Sequence, residues 1–254
     1  MAASTLRDVL YSHIKARESY ERFMEIGCNP ERAGNTVALL LWLDHGCNNV
    51  IRHVPGLTTT AVFHLANEAK GVIDCLSQNV LMVPPTPLMS ALCQDNGIDP
   101  AAFAYRQDLL VHGVADILDG IGNQLIFSDR LYYLLRRHQT GLLGRNMELE
   151  APYAGCAPVI VPEDCRSMFI TFSRNQAVER DEIFDYFRHK WGDCIVRVLL
   201  EKTNGGAQPM YGRVIFKSPA FVSLALNGEE RVSIIIRERE IWLRKYIPRQ
   251  NNNV

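Results

Sequence analysis

Two aromatic residues occupy similar places in two alternating segments of the C-terminal part of the chain. Phe169 lies in MFITFS (Met168–Ser173), and Tyr211 lies in MYGRVIF (Met210–Phe216), about forty residues later. An aromatic ring exposed on a sheet can stack on a flat ligand such as a nucleobase, and an interleaved arginine can hold a phosphate. The pair therefore predicts a flat binding surface, on the condition that the two segments form neighbouring strands.

Strand alternation predicts which side chains share that surface. Successive side chains of a strand point to opposite faces, so we assign the apolar alternate positions of three segments to the core. The residues between them form the predicted open face: Phe169, Thr171, Tyr211, Arg213, Trp242 and Arg244. Rings and guanidinium groups are thereby interleaved on one face.

Positive charge is concentrated near the end of the chain. The net charge of the whole chain is −1, so we expect no general attraction to nucleic acid or membrane. Residues 231–249 carry a local net charge of +4, which suits a few phosphate contacts. The charged residues of this segment are Arg231, Arg237, Arg239, Arg244, Lys245 and Arg249, against Glu238 and Glu240.

The pattern from residue 168 onward predicts a β-α-β-β-α-β order. A helix at 179–191 follows the first strand, and strands at 194–200 and 211–216 precede a short helix at 219–226. Two segments, 232–236 and 241–247, close the sheet and are joined by the charged turn Arg237-Glu238-Arg239-Glu240.

This order and its motifs resemble the RNA recognition motif (RRM) family. That family has a base-stacking aromatic residue at the second position of its first-strand motif, where this chain has Phe169. Tyr211 stands at the aromatic third position of the third-strand motif, and Gly212, Val214 and Phe216 match the core-side positions. The resemblance implies a ferredoxin-like sandwich that binds single-stranded RNA.

Other positions depart from the family pattern. Pro209 replaces a basic residue, Met210 replaces a glycine, and Arg213 replaces a further stacking aromatic residue. The first strand also lacks the Asn-Leu pair usual at its end. An arginine can stack on a base and bind phosphate, but the platform has one aromatic ring fewer.

The RRM resemblance covers roughly residues 165–249. The ending EIWLRKYIPR and the helical first half also resemble a group of plant proteins that have a helical region followed by one divergent RRM. The RNA-binding residues that we expect from the resemblance and the strand faces together are Phe169, Thr171, Tyr211, Arg213, Trp242, Arg244 and Lys245.

The pattern of apolar residues in the first 140 positions predicts helices and no convincing strand. Helical spacing of apolar residues runs through 5–26, 30–46 and 58–77, before a rigid break at Pro84-Pro85-Thr86-Pro87. Further helices are expected near 87–95, from Asp99-Pro100 to about Leu118, and from Ser128-Asp129 to Arg137.

We therefore expect an α+β protein with two domains. An N-terminal all-α helical domain at 1–140 is followed by a linker at 141–164, which has three prolines and three glycines. The RRM-like βαββαβ sandwich covers 165–249, and residues 250–254 are expected to form a disordered tail.

Composition excludes several other classes. Seven scattered cysteines without a CxxC pair indicate a reduced, intracellular protein with no metal or other cofactor. The charged, amphipathic N-terminus does not predict a signal peptide, and the longest apolar run, Val37–Leu43, is too short to span a membrane. The sequence does not distinguish nucleus from cytoplasm.

No enzyme motif stands out. The chain has no P-loop, no GxSxG and no HExxH. Asp44 and His45 are adjacent, but adjacent helical residues point about 100° apart and so do not form a base with its orienting partner. We therefore expect a protein that is not an enzyme.

Two functional hypotheses follow. The first is an RNA-binding protein that holds single-stranded RNA on the sheet, while the helical domain associates with a protein partner. The alternative is a protein-interaction module whose sheet face is covered or binds a protein. The apolar residues available in the linker to cover the face are Leu149, Tyr153, Val159, Ile160 and Val161.

Overall fold

The structure is a computed structural model of the 254-residue chain. It describes residues 4–47, 50–77, 84–93, 107–157, 159–173, 176–203 and 207–248. The predicted disordered tail at 250–254 lies outside these residues, as does Arg249.

Helices occupy most of the described chain before residue 150. They are α1 Leu6–Ser12, α2 Ile14–Glu25, α3 Pro30–Cys47, α4 Val50–His53, α5 Thr59–Ser77, α6 Pro87–Leu92, α7 Gln107–Ile117, α8 Asp129–Gln139 and α9 Met147–Glu150. A 3₁₀ turn, Val54–Gly56, follows α4, and a π-helical segment, Leu118–Ile126, follows α7.

Local capping explains where several of these helices begin. Thr5 and Asp8 form a capping box at the start of α1, in which each side chain accepts a hydrogen bond from the backbone of the other. The Ser128 hydroxyl caps α8. The single helix predicted over 5–26 is instead α1 and α2, because the backbone at His13 leaves helical geometry (φ −101°, ψ 12°).

The predicted helices at 30–46 and 58–77 are confirmed as α3 and α5. The predicted helix start at Asp99-Pro100 lies outside the described residues, although α7 forms the later part of that helix. The π-helical segment was not predicted. Gly120, the third residue of this segment, has non-helical angles (φ −86°, ψ −115°) that a regular helical spacing does not reveal.

The C-terminal part contains a five-stranded antiparallel sheet. Its strands are β1 Ser167–Phe172, β2 Ile195–Leu200, β3 Tyr211–Phe216, β4 Arg231–Ile236 and β5 Arg239–Lys245, with α10 Arg180–Trp191 after β1 and α11 Pro219–Leu226 after β3. The strand order is β2-β3-β1-β5-β4, so β1 is the central strand. The expected α+β class, with helices mainly N-terminal and the sheet C-terminal, is confirmed.

Helices α10 and α11 pack on one face of this sheet. A capping box between Glu179 and Glu182 begins α10, and Gly192, at φ +66°, ends it. Gly212 allows β3 to lie close to β2, because a Cβ at this position would be 2.7 Å from the Leu199 carbonyl oxygen. The buried core residues between helices and sheet include Met168, Ile170, Phe172, Ile183, Phe187, Val214, Phe216, Phe221, Ile241 and Leu243.

The chain forms two compact units, and neither is a continuous segment. The first comprises Met1–Asn67, Thr86–Ile98 and Asp116–Val159, and the second comprises Glu68–Pro85, Asp99–Ala115 and Ile160–Val254. The second unit therefore combines the sheet with two earlier stretches of chain. The domain limits predicted near residues 140 and 164 stay predictions.

Within the first unit, an apolar cluster contains Leu10, Leu125, Leu131, Tyr132, Leu135 and Leu149. Within the second unit, Trp191 links two distant segments, because its indole Nε1 donates to the Leu76 carbonyl oxygen at 2.6 Å. In the described part of the chain, no helix has both the length and the apolar character needed to cross a bilayer.

Candidate nucleic-acid interface

The face of the sheet opposite the two helices carries six of the seven predicted site residues. In the register of the central strand, Phe169 lies between Arg213 on β3 and Arg244 on β5. One step along, Thr171 lies between Tyr211 and Trp242. Since alternate residues of β1 are buried among the helices, these side chains point to the other face, as predicted from strand alternation.

Phe169 and Tyr211 form the aromatic centre of this face. Their ring centroids are 5.7 Å apart and their planes differ by 24°, which is an offset-stacked pair. Tyr211 is 40% exposed, and Phe169 is half-buried between its neighbours. The diagonal placement across β1 and β3 leaves a broad aromatic surface.

A second aromatic surface lies on the β5 side. Trp242 is 37% exposed, and the Arg231 guanidinium carbon lies 4.9 Å from its ring centroid. The Arg244 guanidinium carbon lies 4.6 Å from the Phe169 ring centroid. Neither arginine forms an ion pair with any residue that the structure describes, and both are exposed. Within the part of the chain that the structure describes, this side of the face therefore presents two guanidinium groups that pair with no acidic side chain.

Arg213 has very different surroundings. Its Nη2 lies 2.6 Å from the Asp164 carboxylate, and its guanidinium carbon lies 3.9 Å from the Tyr246 ring centroid. Its side chain is only 18% exposed, and its Nε is buried and has no hydrogen-bond partner among the described residues. Arg213 could bind a phosphate only if its ion pair with Asp164 were broken.

The end of the face around Arg213 is covered. Ser167 and Ile215, which face each other across β1 and β3 and have outward parity, are fully buried. The 3₁₀ turn Glu163–Arg166 lies at this end, where Glu163 also pairs with Arg197 at 2.6 Å. The face is thus closed beside Arg213 and open from Tyr211 to Trp242.

The apolar linker residues that were available to cover the face do not lie together on it. Leu149 is buried in the apolar cluster of the first unit, against which Tyr153 also packs. Val159 and Ile160 are 65% and 97% exposed, and Val161 is half-buried. The turn at Asp164, a polar segment, is what contacts the sheet.

Lys245 does not join the other predicted site residues. It pairs with Met168, which is buried among the helices, so strand alternation directs Lys245 to the opposite face. It is exposed and is the last residue of β5.

Two residues beside the site were not among the predicted site residues. Arg231 lies directly opposite Arg244 across β4 and β5. Tyr246 continues β5 and lies under the Arg213 guanidinium. The basic composition of 231–249 indicated that Arg231 could contact phosphate. Its position beside Trp242, however, depends on the register of the β4–β5 hairpin.

A shallow pocket of about 240 Å³ opens on the β5 side of the face. Phe169, Thr171, Arg231, Trp242 and Arg244 line it, together with Leu243. No group of three or more His, Cys, Asp or Glu side chains placed to hold a metal ion occurs in the described ranges. The arrangement is suited to stacking and phosphate contacts.

No family model, no curated protein and no solved structure matches the chain. The resemblance to the RRM family and to the plant group stays a prediction.

Proposed function

We propose that the chain binds single-stranded RNA on the open face of its C-terminal sheet, in the manner of a divergent RRM. The observation that carries the proposal is the stack of the exposed Tyr211 on the half-buried Phe169, flanked by Trp242 and by two arginines that pair with no acid among the described residues. Rings of this kind bind bases with little sequence preference, and guanidinium groups hold the phosphates between them.

The arrangement of strands supports the RRM interpretation. The family order is β-α-β-β-α-β, and here β1 and β3 are neighbours at the centre with both helices on the far side. On this reading β5 takes the place of the family's last strand beside β1, and β4 is an added edge strand. The two motif aromatics then lie together on the open face, as RNA stacking requires.

The covered end of the face favours the alternative function in part. Arg213 already forms an ion pair with Asp164, and Ile215 is fully buried. The part of the sheet face that RNA could contact is therefore narrower than a complete RRM platform. The alternative is a protein-interaction module whose sheet face is covered or binds a protein, and the RNA titration below separates it from the RNA-binding function. Association of the helical residues with a protein partner stays a proposal from sequence.

The test is a fluorescence anisotropy titration of the full chain with labelled single-stranded RNA pools at several salt concentrations. Replacing both stacking rings, in Phe169→Ala/Tyr211→Ala, should weaken binding by at least about tenfold, because each stacked base contributes ~1–3 kcal/mol. The matched control is Phe63→Ala/Tyr133→Ala, which removes the same residue types from exposed helical positions that are 51% and 59% exposed.

The control variant should bind RNA as the wild-type chain does. If the wild type and the Phe169/Tyr211 variant bind equally weakly, RNA is not the ligand of this face. Circular dichroism of each variant verifies that the fold is intact.

A further inference from the structure

Two arginines face each other directly on the open side of the sheet. Arg231 on β4 is the cross-strand partner of Arg244 on β5. Like charges directly opposite each other destabilise a sheet, and no acidic side chain of the described residues pairs with either one. A bound anion between the two guanidinium groups would remove this repulsion.

Aromatic and hydroxyl groups lie next to the arginine pair. The pocket of about 240 Å³ is lined by Trp242 and Phe169 and has Thr171 between them in the β1 register. This volume is below the ~300–1,000 Å³ of sites that enclose drug-sized ligands. It suits a single base whose sugar and phosphate stay outside.

We propose that this pocket is a subsite for one nucleotide of the RNA, next to the stacking site on Phe169 and Tyr211 and sharing the edge formed by Phe169. The base stacks on Trp242, the Thr171 hydroxyl forms a hydrogen bond with the edge of the base, and the phosphate lies between Arg231 and Arg244. This inference rests on the proposed function, since it assigns one nucleotide of the same strand to a definite place.

The position of the guanidinium groups explains how the subsite opens. In the free chain they lie over the rings, Arg231 over Trp242 and Arg244 over Phe169. A cation over an exposed ring contributes less than a stacked base. An incoming nucleotide therefore takes the ring face with its base, while the displaced guanidinium turns to the phosphate.

Thr171 is available to read the base. Its side chain forms no hydrogen bond with another described residue, and it is half-buried at the centre of the face. A hydroxyl can both donate and accept, so it contributes a polar contact without selecting strongly between bases. The RNA would then cross the sheet from Tyr211 on β3, over β1, to the β4–β5 hairpin, and would avoid the covered end at Arg213.

The experiment measures binding of a short uridylate and a short adenylate oligonucleotide to the full chain by anisotropy over a salt series. Removing both charges, in Arg231→Gln/Arg244→Gln, should reduce the slope of log K against log salt by about 0.7, the value for one phosphate of a single strand. The matched control is Lys245→Gln, which removes a charge from the residue next to Arg244 but from the opposite face, and should leave the slope unchanged.

Two further variants test the base contacts. Trp242→Ala should weaken binding by about fivefold or more, and Thr171→Val, which keeps the shape and removes the hydroxyl, by about threefold. Tryptophan emission should be quenched by the oligonucleotides in the wild type, and the quenching should be absent in Trp242→Ala.

The outcomes separate this inference from the proposed function. If RNA binding requires Phe169 and Tyr211 but is unaffected at Arg231, Arg244 and Trp242, the subsite is wrong and the proposed function stands. If the wild-type chain binds neither oligonucleotide nor the RNA pools, both are wrong. Equal changes of the salt slope in Lys245→Gln and in the arginine variant would also overturn the subsite.

Discussion

At the residue scale, two arginines that look equivalent in the sequence make different contacts in the structure. Arg213 and Arg244 flank Phe169 on its two neighbouring strands. The Arg213 guanidinium contacts the Asp164 carboxylate and the Tyr246 ring, whereas that of Arg244 lies over the Phe169 ring and donates to the Lys245 carbonyl oxygen at 3.5 Å. Their contributions should therefore be separable, one to the stability of the fold and the other to ligand binding.

We expect Arg244→Ala to weaken RNA binding and to reduce the salt slope by less than the ~0.7 expected for one whole phosphate, because Arg231 still contacts that phosphate. Arg213→Ala should leave the slope unchanged and lower the free energy of unfolding by about 1 kcal/mol, since it removes an ion pair and a ring contact. The measurements are anisotropy over a salt series and urea unfolding. A reduced slope in Arg213→Ala would contradict this assignment.

At the element scale, the β4–β5 hairpin determines which residues meet. Its turn is Arg237-Glu238, where both residues have positive φ (45° and 67°), as in a type I′ turn. Such turns usually contain Asn-Gly, so Arg-Glu does not signal one. A four-residue turn over 237–240, as expected from the sequence, would place Arg231 opposite Tyr246; the two-residue turn places it opposite Arg244.

One carboxylate joins this hairpin to α10. Glu182 accepts the Glu179 backbone N–H at 2.9 Å and hydrogen bonds from Arg239 at 2.7 and 2.8 Å, and it pairs with Arg237 at 2.8 Å. The backbone hydrogen bond from Glu179, followed by those from Arg239, holds the pKa of Glu182 below its usual value near 4.5. Its charged form is thus favoured by folding.

The stability that Glu182 contributes should therefore be present above its usual pKa and be lost as the pH falls through its lowered pKa. Glu182→Gln should lower the free energy of unfolding at neutral pH by about 1 kcal/mol, because Gln can keep the backbone cap but loses the charged hydrogen bonds with Arg239 and Arg237. It should also make the loss of stability below pH about 4 less steep. Urea unfolding at a series of pH values measures both effects.

The control for this prediction is Asp185→Asn. Asp185 is exposed on the same helix and forms no ion pair with the described residues, so its replacement should leave the pH dependence unchanged. A wild-type acid profile in Glu182→Gln would show that the link between α10 and the hairpin contributes nothing.

At the scale of the whole molecule, the sheet and its helices contact residues that lie far earlier in the sequence. Trp191, 1% exposed, donates to the Leu76 carbonyl oxygen, and its own carbonyl oxygen lies 2.8 Å from the His112 Nε2. The His112 ring also packs edge-on against Phe221 at 5.3 Å. These contacts are within the second compact unit, which includes residues 68–85 and 99–115.

We therefore expect the isolated fragment 160–254 to be less stable than the same residues in the full chain, by about 3 kcal/mol or more, which is the lower range for losing the contacts of a buried Trp. Urea unfolding followed by circular dichroism measures the difference. Adding the fragment 68–115 in trans should restore part of it. Equal unfolding midpoints for fragment and full chain would support the continuous domain at 165–249 expected from the sequence.

The sequence by itself determined the strand segments and their two faces. The alternation of Ile170 and Phe172 with Phe169 and Thr171 is a local pattern with the period of a strand, so it needs no knowledge of the partners. Helical spacing of apolar residues, which is also a local pattern, identified α3, α5, α10 and α11. Neither pattern could reveal the type I′ turn, because Arg237-Glu238 lacks the residues that favour positive φ.

The tertiary structure decided which outward residues are open to a ligand and which chain segments support them. Asp164 reaches Arg213 from a turn 49 residues away, and Arg231 meets Arg244 only through the hairpin register. The inclusion of residues 68–85 and 99–115 with the sheet likewise depends on packing between distant segments. Contacts between distant segments leave no periodic pattern in the sequence. Which side of the sheet face stays open is therefore determined by tertiary packing.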